Sequence, residues 1–375
     1  MIVDEADYDV VVAGAGPAGS MTARQLARQG ARVLLVDRSR FPRPKVCGCC
    51  LNPRALATLE RAGLGGLTAD LQAVALTGME LATAGRRASI DRPLGVALSR
   101  DALDAALIAA AVATGVEFLP ATTAALRADS SADAVAVRLQ QGERSFDVRG
   151  RFVVSSTGLT DGLFPAEARE SRSPNAKIGA GAIAPAAPEG YEPGRIHMSC
   201  GDGGYVGLVV LEDGRLDLAA AFDPDAVREA GGLGRLAGSI LAGAGLPPVP
   251  GVAALRWKGT SPLTRSPGRL VEGGVYRVGD SAGYVEPFTG EGMAWALAGG
   301  EALAATLAEA LAGVEIDPAG RWALAHRKAV GRRQLVCRAA GRILRTPWMT
   351  RSLVGVLAFR PSLARPFLSI IHKAS

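Results

Sequence analysis

Residues 7–39, "DYDVVVAGAGPAGSMTARQLARQGARVLLVDRS", read as strand, glycine turn, helix and strand. Asp9–Ala13 is a short apolar run, and "SMTARQLARQG" continues at helical spacing until Gly30 stops it. "ARVLLVD" is a second strand that ends at Asp37. Between strand and helix, Gly14, Gly16 and Gly19 supply G-x-G-x-x-G, with Pro17 and Ala18 in the same turn. The first glycine permits the tight turn, the second lets a pyrophosphate approach the backbone, and the third lets helix and strand pack closely. The free N–H groups at the helix start suit phosphate oxygens. Asp37 stands 18 residues after Gly19, where a carboxylate can grip ribose hydroxyls, and Arg38 follows it. The stretch therefore predicts a dinucleotide site, and an acid at Asp37 favours NAD or FAD over a 2′-phosphorylated cofactor.

The 375 residues are 48% hydrophobic, the profile of a compact protein of two or three structural units. No basic segment precedes an apolar one at the N-terminus, and no run of about 18 uncharged apolar residues occurs, so neither a signal peptide nor a spanning helix is expected. The net charge of +6 is unevenly placed. Residues 321–375 carry twelve Lys/Arg and no acid, while residues 1–320 carry 30 Lys/Arg against 36 Asp/Glu, a net of −6. A solvated helical face or attraction to an anionic membrane, substrate or partner would account for the basic tail; no base-reading motif accompanies it, and nucleic acid is not an expected partner. Five cysteines, an odd number without a secretory signal, point to free thiols in a reducing cytoplasm. Three of them lie in "FPRPKVCGCCLNPRAL" (41–56), but no second Cys/His cluster completes a zinc set, so no metal is expected. A disulfide between adjacent Cys49 and Cys50 would be badly strained.

Further along, "GGVYRVGDSAGYVEPFTGEGMAWALAGGEALAATLAEAL" gives a strand ending at Gly279-Asp280 and a small-residue helix beginning near Gly290. This resembles the second fingerprint of FAD-dependent oxidoreductases with a glutathione-reductase-type FAD domain. The resemblance implies that Asp280 meets the ribityl or pyrophosphate part of FAD, that the loop Pro287–Gly292, including Gly290, lies beside the isoalloxazine, and that the helix start at Gly292-Met293 faces the flavin edge where negative charge collects on reduction. "ALSRDALDAALIAAAVATGVEFLP" reads as a helix capped by Ser99, and its Arg100 matches the arginine that contacts FAD in relatives. "RGRFVVSSTGLTDGL" gives a strand entering Thr157-Gly158, like the returning strands of these folds.

The cysteine stretch then falls where group A flavoproteins place a loop over the flavin. It resembles the P-R-x-K-x-C-G-G-x-L pattern of geranylgeranyl reductase-type enzymes: Pro42, Arg43, Lys45, Cys47, Gly48 and Leu51 match, and Cys49 replaces the second glycine. The resemblance implies that Arg43, Lys45, Cys47 and Gly48 line the flavin, with Lys45 bringing positive charge and Gly48 letting the backbone pass close to a planar ring. Cys47 and Lys45, with Pro287 and Tyr205, are the candidate catalytic residues.

The expected fold class is α/β: a discontinuous FAD-binding domain (1–75, 96–165 and 265–320), an antiparallel sheet forming the substrate domain (76–95 and 166–264), and a C-terminal helical segment (321–375) broken near Pro347, Pro361 and Pro366. In geranylgeranyl reductases the strand matching "GGYVGLVVLEDG" carries a Y-x-W-x-F-P motif; only Tyr205 survives here, followed by the aliphatic Leu208, Val209 and Val210. That departure favours monooxygenation of a hydrophobic small molecule through a flavin C4a-peroxide, with O₂ as co-substrate and NAD(P)H as transient electron donor. Reduction of a C=C bond by hydride from reduced FAD is the alternative, and a flavin-bound membrane- or partner-associating protein is an alternative of another class. A cytoplasmic chain with peripheral contact at the inner face of the membrane through its basic helices is the expected setting.

Overall fold

In the computed structural model, which describes residues 7–363 apart from 130–133, 161, 165–170, 173–175, 267, 287, 289, 332, 336, 339–340 and 342–345, the first strand runs Tyr8–Ala13 and the helix after it Pro17–Ala27. Alternation along that strand divides the structure into layers. Val10 and Val12 point into a core shared with the helices Pro17–Ala27, Arg100–Val112 and Gly292–Leu311, whereas Val11 and Ala13 point to the opposite face. Five parallel strands, in the order 275–277, 144–155, 8–13, 33–36 and 117–119, form the centre of this sheet. An antiparallel meander, 122–126 and 135–141 continuing into 144–155, covers the second face. The chain has the mixed α/β FAD-domain architecture expected from the two fingerprints.

The crossing of turn and returning strand explains two of the glycines. Gly14 has φ +105°, and a Cβ there would come within 2.4 Å of the Ser156 carbonyl oxygen. A Cβ on Gly19 would lie 1.9 Å from the Gly14 carbonyl oxygen and 2.4 Å from Ser156 Oγ. Neither position has room for a larger residue.

A second eight-stranded sheet runs 258–262, 178–184, 216–222, 204–210, 195–201, 74–83, 86–97 and 50–51. Ala75–Gly95 is a hairpin, as its pattern predicts, turning at Ala84-Gly85, both with positive φ. The sheet departs from the expected all-antiparallel arrangement at one place: 195–199 pairs in parallel with 78–82. Hairpin-linked strands must run antiparallel, but these two come from segments separated by much of the FAD-binding domain, and a crossover of that length delivers a parallel neighbour. Cys50–Leu51, inside the cysteine stretch, forms the last strand by pairing with Val96 and Ala97.

Helix Leu233–Ala244, which the strand-rich reading of residues 166–264 did not include, covers one face of this sheet with Leu236, Ala237, Ile240, Leu241 and Ala244, and ends at Gly245 in the left-handed conformation. Those spacings are a helical stripe readable in the sequence. The C-terminal segment contributes Pro318–His326 and Pro347–Phe359. A helix begins at Pro347, where a break was expected, with the proline in the first turn where its missing N–H costs no hydrogen bond. Pro361 follows the end of that helix, and Pro366 lies outside the described residues.

Candidate functional site

A single cavity of about 1050 Å³ lies between the two sheets and reaches from the glycine turn to the second sheet's uncovered face. That is at the upper limit of ordinary ligand sites, roughly 300–1,000 Å³. One end is polar and built around the first helix. Gly14, Gly16, Pro17, Ala18, Asp37 and Arg38 line it, together with Arg43, Lys45, Arg100, Thr157, Gly158 and Asp280. Gly19 is outside the wall, holding helix to strand.

Ion pairs fix the cations of this end. Arg100 donates from Nε and Nη2 to the two oxygens of fully buried Asp104 at 2.9 and 2.7 Å, a pairing one helical turn apart. Arg43 Nη2 stands 3.8 Å from both Asp37 and Asp104 carboxylates. Asp37 accepts the backbone N–H groups of Ala15 and Ser39, each at 2.8 Å, so its carboxylate braces the glycine turn as well as facing the cavity. Lys45 Nζ lies 3.8 Å from Asp280 Oδ2, and burial pulls its ammonium below the usual lysine range, partly opposed by Asp280.

Cys47 and Gly48 occupy the junction with the apolar end. The Cys49 backbone N–H donates to Cys47 Sγ at 3.4 Å. Hydrogen bonding from Cys49, together with the Arg100 cation and against burial, lowers the Cys47 thiol to about 6. Cys49 moves the other way, raised by its side-chain bond to Cys47 and by burial. Asp217, buried on the strand Leu216–Phe222, is pushed well above the usual carboxylate range by burial and then by Cys47, while its side chain bonds to Cys49. All five cysteines are free. The cluster thus pairs one acidified thiol with one that keeps its proton.

The other end is apolar, walled by Leu81, Ile90, Met198, Leu208, Leu353 and Leu357 among others. Tyr205 is there, its ring edge-on to Phe288 at 5.1 Å between centroids, and burial pushes its phenol well up. Tyr284, Gly290, Gly292 and Met293 also face the cavity; Pro287 lies outside the described residues. Glu291 points away, accepting Asn52 Nδ2 at 2.6 Å and Trp295 Nε1 at 3.2 Å. Asn52 simultaneously caps the helix Pro53–Arg61 through Ala55 N–H at 2.9 Å. Glu291 therefore ties the cysteine stretch to the start of helix Gly292–Leu311. The sequence reading missed Asp104, Asp217 and Glu291 as organisers; Asp104 could have been found from its i+4 spacing to Arg100.

Residues 7–161 match the family model described as FAD binding domain. This part of the chain is an FAD-binding domain. Over 149 residues the chain is 40% identical to a menaquinone reductase of Mycobacterium tuberculosis, a match spanning 38% of this chain and only 36% of that protein. The chain's fold resembles a geranylgeranyl bacteriochlorophyll reductase-like protein from Thermoplasma acidophilum, with TM-score 0.76, 20% identity and coverage of 94% and 91% of the two chains. It equally resembles p-nitrophenol 4-monooxygenase from Pseudomonas putida, with TM-score 0.77, 16% identity and coverage of 97% and 96%. The fold is thus shared by a reductase-like protein and a monooxygenase.

The FAD-binding domain has the room its cofactor needs. A Cβ on Gly16 would meet no protein atom nearer than Arg100 Nη2 at 3.8 Å, so packing leaves that face of the turn open to the cavity. The opening sits at a helix N-terminus flanked by Arg43 and Arg100, the donor set a pyrophosphate requires. The Gly290–Met293 turn presents the start of a 20-residue helix to the same cavity.

Proposed function

We propose that the chain is an FAD-dependent oxidoreductase that reduces a carbon–carbon double bond in an apolar, isoprenoid-type small molecule, with NAD(P)H visiting transiently as electron donor. One observation carries the reading: the cavity that holds the dinucleotide site continues without a partition into an apolar chamber, and the Cys47–Cys49 pair stands at the junction. When bound and reduced, FAD supplies a hydride. The chain's own task is to place an alkene along Met198, Leu208 and Leu357, to exclude water, and to hold a proton near the carbon that must receive one. A Cys47 thiol lowered to about 6 beside a Cys49 thiol that retains its proton suits that last role. The menaquinone reductase likeness and the geranylgeranyl reductase pattern at Pro42–Leu51 support reduction.

A second reading, monooxygenation, rests on Gly207 and Val209, which stand at the aromatic positions of the reductase pattern counted from Tyr205 and line the chamber without an aromatic ring. Product analysis separates the two. The chain is incubated with FAD, NAD(P)H and a polyprenyl alcohol, with and without oxygen, and the product is weighed by mass spectrometry. Gain of two hydrogens, undiminished without oxygen, is the expected result; gain of one oxygen atom, abolished when oxygen is removed, overturns reduction in favour of oxygenation.

A further inference from the structure

We infer that helix Pro347–Phe359 and the turn after it form a docking face for an anionic lipid bilayer, and that the apolar chamber opens toward that bilayer. Large apolar side chains exposed to solvent are concentrated here: of the nine in the described residues, Trp348, Leu353, Val356, Phe359 and Leu363 lie on this helix and turn. Trp348 is 68% exposed, Val356 51% and Phe359 83%. The opposite side of the same helix is committed inward. Val354 is fully buried against the hairpin 74–97 and Leu357 is buried in the chamber wall, while Leu353 and Leu363 line the chamber and remain partly open to solvent. One helix is therefore chamber wall on one side and exposed apolar surface on the other.

Charge selects the occupant. Residues 321–375 hold twelve Lys/Arg and no acid, whereas residues 1–320 are net −6, so the segment of sequence that carries this helix is the basic one. Arg351 and Arg360 are exposed beside the apolar side chains. A second copy presenting the same face would bring like charge against like charge. An anionic lipid surface satisfies both features, taking the cations at headgroup level and the Trp and Phe rings below it. Arg86, Ser352, Gly355, Val356, Phe359 and Arg360 also line a hollow of about 470 Å³ between helix and hairpin, open on this side. Among the described residues no helix is long and apolar enough to cross a membrane, so the contact is with the surface. The opening of the chamber toward lipid rests on the proposed function, since it presumes that the chamber takes an apolar substrate; the docking face itself does not.

The test uses the full FAD-loaded chain and vesicles of phosphatidylcholine alone or mixed with phosphatidylglycerol, and it involves no turnover, so its failure and that of the proposed reaction are distinguishable. Cosedimentation with the anionic vesicles at low salt is expected, with little binding to neutral ones. Arg351→Glu combined with Arg360→Glu should weaken it by about tenfold or more, with FAD content unchanged. Brominated lipid should quench tryptophan fluorescence, an effect lost in Trp348→Phe. Absence of binding to anionic vesicles at low salt overturns the proposal, as does equal binding to both vesicle types. A concentration-dependent dimer that Phe359→Glu abolishes also overturns it, because the face is then covered by a second copy.

Discussion

Cys47 has neighbours of opposite effect on either side: Arg100, held rigid by Asp104, favours its thiolate, and the apolar chamber disfavours it. Hydrogen bonding from Cys49 decides the balance and brings the thiol to about 6. An ordinary thiol titrates at about 8.5. Alkylation of Cys47, followed by mass mapping at a series of pH values, should therefore rise through a midpoint near pH 6, while Cys49 and Cys50 stay unreactive up to high pH. In Arg100→Gln the Cys47 midpoint should move up, because the lost cation had stabilised the charged form. A wild-type midpoint at the ordinary value would show that the pair does not share its proton as described. The triplet was visible in the sequence, and so was the departure of Cys49 from the family pattern. Asp217 was not legible as their partner: an acid in "LDLAAAF" signals nothing by itself, and only the fold brings its strand beside the cysteine stretch.

At the scale of elements, the glycine turn separates two requirements that a motif merges. Gly19 is fixed by packing and Gly16 by the space it leaves. Gly19→Ala must displace the Gly14 carbonyl or the helix, and overpacking of this kind costs about 1–3 kcal/mol. Its urea midpoint should fall. Gly16→Val should keep the urea midpoint of the FAD-free wild type but lose the yellow colour of bound FAD, since its side chain enters the cavity and meets no protein atom; an unfolded Gly16→Val, or one retaining stoichiometric FAD, would contradict this division. The strand–turn–helix unit was legible because its signals are local: an apolar run, spaced glycines and a terminal acid. The hairpin 74–97 was legible for the same reason. The parallel joint between 195–199 and 78–82 was not, because strand pairing across a long crossover leaves no mark in either segment. Glu291 was visible in its Gly-Glu-Gly setting, but its bond to Asn52 depends on the approach of two distant helices.

Across the whole molecule, one continuous cavity runs between the two sheets, and the helix Pro347–Phe359 forms part of the wall at its apolar end. The polar end gathers cations for a dinucleotide, the far end gathers leucines and methionines, and the acidified thiol lies between them. This continuity joins the polar end to an apolar chamber walled by the hairpin 74–97, the strands 195–201, 204–210 and 216–222, and the C-terminal helix; that the second sheet flanks the site was legible in the sequence, but which side chains wall it was not. The proposed reaction requires that an apolar alkene in the chamber reach the cofactor directly. The most direct measurement is anaerobic stopped-flow absorbance of the FAD-loaded chain, reduced with NAD(P)H and then mixed with a polyprenyl alcohol. Return of the oxidised-flavin absorbance at a rate that saturates with alkene concentration, in the absence of oxygen, is the result predicted. Flavin that stays reduced until oxygen is admitted would contradict the account.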